Sequence, residues 1–262
     1  MKIALVGYGK MGHMLEQTAL SFGDEVVATI DTFAPDASVK LSQGDQKGLL
    51  DAVVQSGAEG VIEFTHPLSV MENIKTLLPS KLPLVVGTTG WNNKKDEVAD
   101  LAKKCGGTIM TSANFSIGVN LFYRIVEEAS KLVNSFEEYD AAVWEMHHNQ
   151  KADSPSGTAL DIAKHVLAGL KRKDSLVTDA FHSKPLPNQL HVSSTRCGSV
   201  PGTHTVYFDS AADTITLTHT ARSRQGFASG AVHALENLKS RLDSGKLLPG
   251  ALYGMSDVFD EF

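Results

Sequence analysis

Short runs of branched apolar residues alternate with helical stripes through the first part of the chain. Ile3, Ala4, Leu5 and Val6 have the length and branching of a buried strand, and Met14, Leu15, Thr18 and Phe22 then recur at helical spacing. Further strands are predicted over 25–30, 60–64, 83–86 and 107–111, with a helix over 68–78. The polar stretch 38–48 reads as a loop or a short helix. Strands that alternate with helices imply a parallel, doubly wound sheet, whose ligands lie beyond the carboxyl ends of the strands.

The rhythm changes beyond residue 116. Ile117, Leu121, Ile125, Ala129 and Val133 mark one long apolar helix, after which two-residue alternation dominates over 141–146, 190–195, 203–210 and 214–220. That pattern predicts a second, α+β domain with a mixed, mostly antiparallel sheet. A last helix is expected over 227–242, where Phe227, Ala231, Leu235, Leu238 and Leu242 share a face. The expected fold class is therefore α/β: a Rossmann-like sheet over 1–113, with 228–262 packing back on it, and a second domain over 114–227.

Glycines give the first domain a chemistry. Gly7-Tyr8-Gly9-Lys10-Met11-Gly12 sits where the first strand becomes a helix. In such a motif the first glycine makes the tight turn, the second leaves room for a pyrophosphate and the third lets helix pack on strand. Asp31, at the end of the second strand, has the separation expected of an acid that hydrogen-bonds the adenosine ribose. A carboxylate suits two ribose hydroxyls and repels a 2′-phosphate, and only Thr32, Phe33 and Ala34 follow it, so NADH is favoured over NADPH. Lys10 and His13 are the opposing cations. Gly87 and Thr88 close a later strand on the cofactor side, where backbone and hydroxyl groups can meet the nicotinamide half, and His66 lies in the neighbouring loop.

The densest chemistry falls in the middle, from Trp144 to Thr158. His147, His148 and Lys151 precede Ser154-Pro155-Ser156-Gly157-Thr158, which opens a helix carrying Leu160, Ile162, Ala163, Val166, Leu167 and Leu170. Ser154 or Ser156 can cap that helix, Pro155 suits its first turn, and Gly157 lets an oxygen ligand approach the backbone N–H groups. Imidazole, ammonium and a helix start thus converge on a carboxylate or a phosphate.

Composition narrows the partners. A formal charge of −6 without a long basic run argues against nucleic acid, so local groups must hold any anionic substrate. Cys105 and Cys197 form no CxxC, and a reducing cytosol is the expected compartment. No run approaches the roughly 20 apolar residues of a membrane span, and the opening strand is too short for a signal peptide.

Four motifs, in order, carry a resemblance over nearly the whole chain: the glycine loop, Gly87-Thr88-Thr89-Gly90, Ala113-Asn114-Phe115-Ser116-Ile117-Gly118, and Glu145-Met146-His147-His148-Asn149-Gln150-Lys151-Ala152-Asp153-Ser154-Pro155-Ser156-Gly157-Thr158-Ala159. The chain resembles the 4-hydroxy-tetrahydrodipicolinate reductases, also called dihydrodipicolinate reductases, of the diaminopimelate route to lysine. The resemblance implies a cytoplasmic homotetramer that uses NADH or NADPH to reduce a cyclic imine dicarboxylate. It implies cofactor contacts from Gly7, Tyr8, Gly9, Lys10, Met11, Gly12, Asp31, Gly87, Thr88, Thr89, Ser112, Ala113, Asn114 and Phe115. It makes His147 the proton donor and acceptor, Lys151 a second proton donor, and His148, Gly157 and Thr158 the carboxylate-binding groups. NADPH-preferring members carry arginines where this chain has Thr32 and His66, which agrees with the Asp31 argument. Arg196, Arg222 and Arg224 also match the family and read as structural or hinge residues.

Two other readings stay open on the residues alone. One is another NAD(P)-dependent amino-acid dehydrogenase with a similar nucleotide domain, which leaves the His-His-x-x-Lys arrangement unexplained. The other is a non-enzymatic sensor of NAD and a dicarboxylate. No metal is expected, because adjacent histidines point apart and no fixed carboxylate ligand accompanies them.

Overall fold

A computed structural model describes residues 1–260. The chain forms two compact units, one of residues 1–117 and 225–262, the other of residues 118–224. In the first unit the elements are β1 (Lys2–Val6), α1 (Lys10–Ser21), β2 (Glu25–Asp31), β3 (Val39–Lys40), α2 (Gln46–Gln55), β4 (Gly60–Glu63), α3 (Val70–Leu77), β5 (Leu84–Val86), α4 (Lys95–Cys105) and β6 (Ile109–Thr111). Helix α5 (Ile117–Val133) leads into the second unit, with β7 (Asp140–His147), α6 (Gly157–Gly169), β8 (Ser175–Val177), β9 (Gln189–Arg196), β10 (Thr203–Asp209) and β11 (Thr214–Thr220). The chain returns to the first unit as α7 (Gln225–Asp243), β12 (Leu252–Tyr253) and α8 (Met255–Val258).

Seven parallel strands in the order β12-β6-β5-β4-β1-β2-β3 make the first sheet. The winding reverses at β1, which places the glycine loop at the switch point of the sheet. Strand β1 is buried on both sides, as its unbroken apolar run requires. Ile3 and Leu5 join Leu15, Ala231, Leu235 and Leu238 from α1 and α7 on one face, whereas Ala4 and Val6 join Leu49, Val53, Ile74, Leu77 and Val98 from α2, α3 and α4 on the other. Leu235 packs so closely on β4 that a Cβ on Gly60 would stand 2.8 Å from it. Truncating such a fully buried leucine to alanine costs about 2–5 kcal/mol.

In the second unit the order is β11-β10-β7-β9-β8. The pairs β10–β11 and β10–β7 are antiparallel, and β7–β9 and β8–β9 are parallel. The sheet is therefore mixed, with the antiparallel pairings the longer, seven residue pairs each against six and three for the parallel ones; alternation reveals a half-covered strand but not its neighbour's direction. One face carries Val143, Leu190, Val192, Val206 and Phe208 against Phe122, Val126, Ile162 and Val166 of α5 and α6.

Strands β3, β8 and β12 have two or three residues each, too few for periodicity to register. The polar stretch 38–48 holds β3 and the start of α2, capped by Asp45, whose Oδ1 accepts from Gly48 N at 2.8 Å. Among the described residues no helix is long and apolar enough to cross a membrane, and none of their histidine, cysteine and acidic side chains gather in threes as a metal would need.

Candidate active site

The glycine loop joins β1 to α1. Gly7 has φ +93°, and a Cβ there would meet Phe64 O at 2.0 Å, so the turn accepts no side chain. Gly12 faces the carbonyl of Gly7, where a Cβ would come within 2.4 Å, while Gly9 has open space where its Cβ would be. Gly9 is the N-cap of α1, and no side chain caps the helix. An open helix start with a bare backbone in front of it fits a pyrophosphate.

Asp31 lies opposite that loop. Its Oδ2 accepts from Tyr8 N at 2.6 Å, and its Oδ1 accepts from Phe33 N at 2.6 Å and Ala34 N at 2.9 Å. Burial pushes the carboxyl pKa up, but these backbone N–H groups outweigh it and hold the pKa below the usual aspartate value. A fixed, ionised acid is thus built into a cavity of about 310 Å³ lined by Gly7, Asp31, Phe33, Thr65, Ser69 and Asn73, within the size range of small-ligand sites. The cavity fits a nucleoside whose hydroxyls donate to Asp31. His13, one of the two cations set against that preference, is already engaged. Its Nδ1 meets Gly9 O at 2.9 Å and its Nε2 meets Asp36 at 2.7 Å, and those bonds raise its pKa. Lys10 is exposed at the helix start.

The remaining cofactor-side residues divide by what they expose. Tyr8 is buried, bonds Glu16 through its hydroxyl and stacks on His13 at 4.1 Å; the Glu16 bond, then burial, pushes its phenol up to about 12. Met11 packs on the core beside α7. Thr88 is buried, its Oγ1 accepting from Thr65 N at 2.7 Å and its carbonyl from Trp91 Nε1 at 2.8 Å. Gly87 leaves room for the ring of Phe64, which a Cβ would overlap at 1.8 Å. Thr89 and Ala113 are exposed and Ser112 half-buried. Asn114 is buried, its Oδ1 accepting from Ser116 N at 2.9 Å, and the Phe115 ring is core, so backbone groups are what Phe115 can offer a ligand.

In the second unit β7 delivers Glu145 and His147 to one side of the sheet, two residues apart. Glu145 has no exposed surface and His147 is 8% exposed. The carboxylate Oε2 of Glu145 accepts from His147 Nδ1 and from Arg196 NH1 at 3.1 Å, and Oε1 accepts from Arg196 NH2 at 2.9 Å and Ser156 N at 3.2 Å. Burial pushes the Glu145 pKa up; Arg196 first and His147 second reverse that and keep it below the ordinary glutamate value. An ionised carboxylate is acceptor only, so Nδ1 of His147 carries a hydrogen. His147 Nε2 faces Gly202, φ +151°, where a Cβ would stand 2.8 Å away.

Arg196 does more than neutralise Glu145. It donates from Nε to Lys151 O at 3.3 Å and from NH2 to Asp153 O at 2.5 Å, which ties the loop carrying Lys151 to β9. Lys151 Nζ pairs with Asp153 at 2.8 Å; burial pushes the Asp153 pKa up, and Lys151 first, with smaller help from the Gly157 amide, brings it below the usual aspartate value. A carboxylate therefore already sits between the ammonium group and the start of α6, the seat expected of an anionic ligand. Ser156, not Ser154, is the N-cap: its Oγ accepts from Ala159 N at 3.1 Å. Pro155 stands before the cap, outside the first turn, after a cis peptide bond. Gly157 is exposed with open space beside it, and Thr158 and His148 are half-buried.

The structure thus gathers His147, Lys151 and Gly157 around Glu145 and Arg196. Glu145 escaped the sequence reading although two-residue spacing from His147 on a strand was a usable signal. His204 had no signal: its Nε2 meets Ser156 Oγ at 3.2 Å and its ring stands edge-on to His147 at 5.2 Å, contacts set by strand register. Burial, then the nearby His147, pushes the His204 pKa down to about 4, so its ring is neutral.

Comparison with known proteins points one way. Residues 1–115 match the sequence profile described as dihydrodipicolinate reductase, N-terminus, and residues 118–259 the profile for its C-terminus. A 4-hydroxy-tetrahydrodipicolinate reductase of Christiangramia forsetii is 34% identical over 261 residues, covering 100% of this chain and 98% of that protein. The enzyme of that name from Archaeoglobus fulgidus is 34% identical over 247 residues, 89% of this chain and 92% of the other. Among solved structures, a dipicolinate-bound dihydrodipicolinate reductase from Paenisporosarcina superposes with a TM-score of 0.74 at 22% identity, covering 98% of each chain, which supports the fold.

Proposed function

The chain belongs to the dihydrodipicolinate reductase family, and from that premise we propose how its residues divide the work of the family's reaction. That reaction reduces 4-hydroxy-tetrahydrodipicolinate, with loss of water, to tetrahydrodipicolinate at the expense of NAD(P)H, a step of lysine biosynthesis through diaminopimelate. The dinucleotide, when bound, supplies the hydride. Domain 1–113, joined by 228–262, holds it through the glycine loop, Asp31, Gly87, Thr88, Thr89, Ser112 and Ala113, and Asn114 and Phe115 join it from the segment that leads into the second domain. Domain 114–227 binds the imine and forms the oligomer.

The observation that carries the substrate assignment is the Asp153 carboxylate, seated between Lys151 and the Gly157 amide. A ring carboxylate takes that seat, held by His148 and the amides of Gly157 and Thr158. Lys151, released from Asp153, turns to the ring. His147, fixed by Glu145, stabilises the electron pair arriving on the ring nitrogen and, with Lys151, delivers the proton that the enamine carbon needs.

NADH is the preferred cofactor, with NADPH accepted less well: Asp31 is ionised and fixed, His13 is paired to Asp36, and no arginine stands at position 32 or 66. A cytoplasmic homotetramer agrees with the free thiols of Cys105 and Cys197 and with the exposed apolar side chains Leu132, Phe136 and Ile215 on the second unit. Turnover in a mixture coupled to dihydrodipicolinate synthase, run with each reduced nucleotide, tests substrate and cofactor together. NADH oxidation that proceeds equally without the synthase product would refute the substrate, and a higher kcat/KM with NADPH would refute the preference. Pyridine-2,6-dicarboxylate binding without turnover would favour a sensor.

A further inference from the structure

A second buried acid lies behind the wall of the nucleoside cavity. Glu63 ends β4 with no exposed surface. Its Oε1 accepts from the Thr65 hydroxyl and from Asn73 Nδ2 at 3.1 Å. Asn73 Nδ2 also donates to Thr65 Oγ1 at 3.2 Å, and that oxygen lies 3.2 Å from Ser69 Oγ. Thr65, Ser69 and Asn73 all line the cavity; Glu63 does not. Thr65 N, in turn, donates to Thr88 Oγ1 at 2.7 Å, which ties the loop after β4 to the loop after β5. One carboxyl group thus holds the polar wall of the cavity and, through Thr65, the loop beyond it.

We propose that Glu63 is a positioning residue of the dinucleotide site, acting through Thr65 and Asn73 without touching the ligand. The proposal rests on the reading of this cavity as the nucleoside end of the cofactor site. Among the described residues no lysine, arginine or histidine bonds Glu63, and Oε2 is buried without a hydrogen-bond partner. Ionisation there would leave an uncompensated buried charge, which favours the protonated acid. Burial pushes its pKa up, and the nearby hydroxyls of Thr65 and Thr88 and the amide of Asn73 offset only part of that. A protonated acid serves the cavity well: it orders the wall without adding a second negative charge beside Asp31.

The test is calorimetric binding of NADH to the full chain carrying Glu63→Gln or Glu63→Met, with thermal melts of each. Glutamine keeps the accepting oxygen and the neutral shape, so its Kd should stay within about threefold of wild type. Methionine fills the space without accepting, and Kd should rise about tenfold or more, the worth of a lost buried hydrogen bond. The KM for the imine should stay the same in both, a split that a merely structural lesion would not produce. Methionine binding NADH within threefold of wild type, or glutamine as weak as methionine, would overturn the proposal. If the methionine variant does not fold, Thr65→Val decides instead, with threefold or greater weakening in support and unchanged binding against. Because binding is read without turnover, a wild-type protein that holds NADH but does not reduce the imine would sink the functional reading and leave this comparison standing.

Discussion

Replacing Glu145 with glutamine changes one atom and should damage both catalysis and stability. Glutamine can still accept from Ser156 N and Arg196 NH2 through its oxygen, but it puts an NH2 where Oε2 now receives Arg196 NH1 and His147 Nδ1. Two donors then face one donor group. The Arg196 guanidinium loses its only carboxylate partner among the described residues, and breaking a buried pair on one side costs roughly 3–5 kcal/mol. Arg196 retains 19% of its side-chain exposure and keeps its bonds to the carbonyls of Lys151, Asp153 and Thr195, so the lower end, about 3 kcal/mol, is expected. For a chain of this size that lowers Tm by roughly 6–12 °C. The chemistry suffers separately. An amide N–H facing Nδ1 requires a lone pair there, so the ring can no longer carry hydrogen on both nitrogens, as a ring bonded through Nδ1–H and donating from Nε2 must. A misplaced acid or base of this kind costs about 100-fold or more in kcat. The assay is steady-state NADH oxidation with the coupled substrate well below the new Tm, alongside NADH binding, which should stay within about twofold because the glycine loop is untouched. A folded variant with kcat within threefold of wild type would refute the claim that Glu145 sets the state of His147.

Three further expectations are independent. Lys151→Ala should lower kcat by about two orders of magnitude or more while NADH binding persists; near-normal turnover, read in the same assay, would remove Lys151 from the chemistry. Asp31→Ala should move the ratio of kcat/KM values toward NADPH, because an ionised acid no longer repels a 2′-phosphate; an unchanged ratio contradicts the ribose assignment. His204 gives a pH test. Its pKa falls from 6.5 to about 4 in the folded chain, so the unfolded chain binds more protons between those values. The stability present above pH 6.5 is therefore lost as the pH falls toward 4, by roughly 3 kcal/mol in all. Denaturant melts should show that slope in the wild type and a flatter one in His204→Gln, and equal slopes would rule His204 out as its source.

Local order along the chain was enough for a good part of this molecule. An unbroken apolar run means a strand covered on both sides, three glycines at fixed spacing mean a turn, an approach and a close packing, and a serine before a glycine means a helix start that welcomes an anion. These rules act over a few residues, so β1, the glycine loop, Asp31, His147 and Lys151 could be read directly. What had to wait for the fold is every partnership across strands. Glu145 meets Arg196 because His147 pairs with Arg196 in the β7–β9 register, 49 positions along the chain, and His204 reaches Ser156 because β10 runs antiparallel beside β7. Glu63 acquires its place behind the cavity wall only when α3 folds back to bring Asn73 against it. Periodicity states which side of a strand is covered, and it carries no information about which distant strand lies alongside or at what register. The choice among side chains that share a buried face was therefore made by tertiary packing, and with it the charge state and orientation of the groups proposed to do the chemistry.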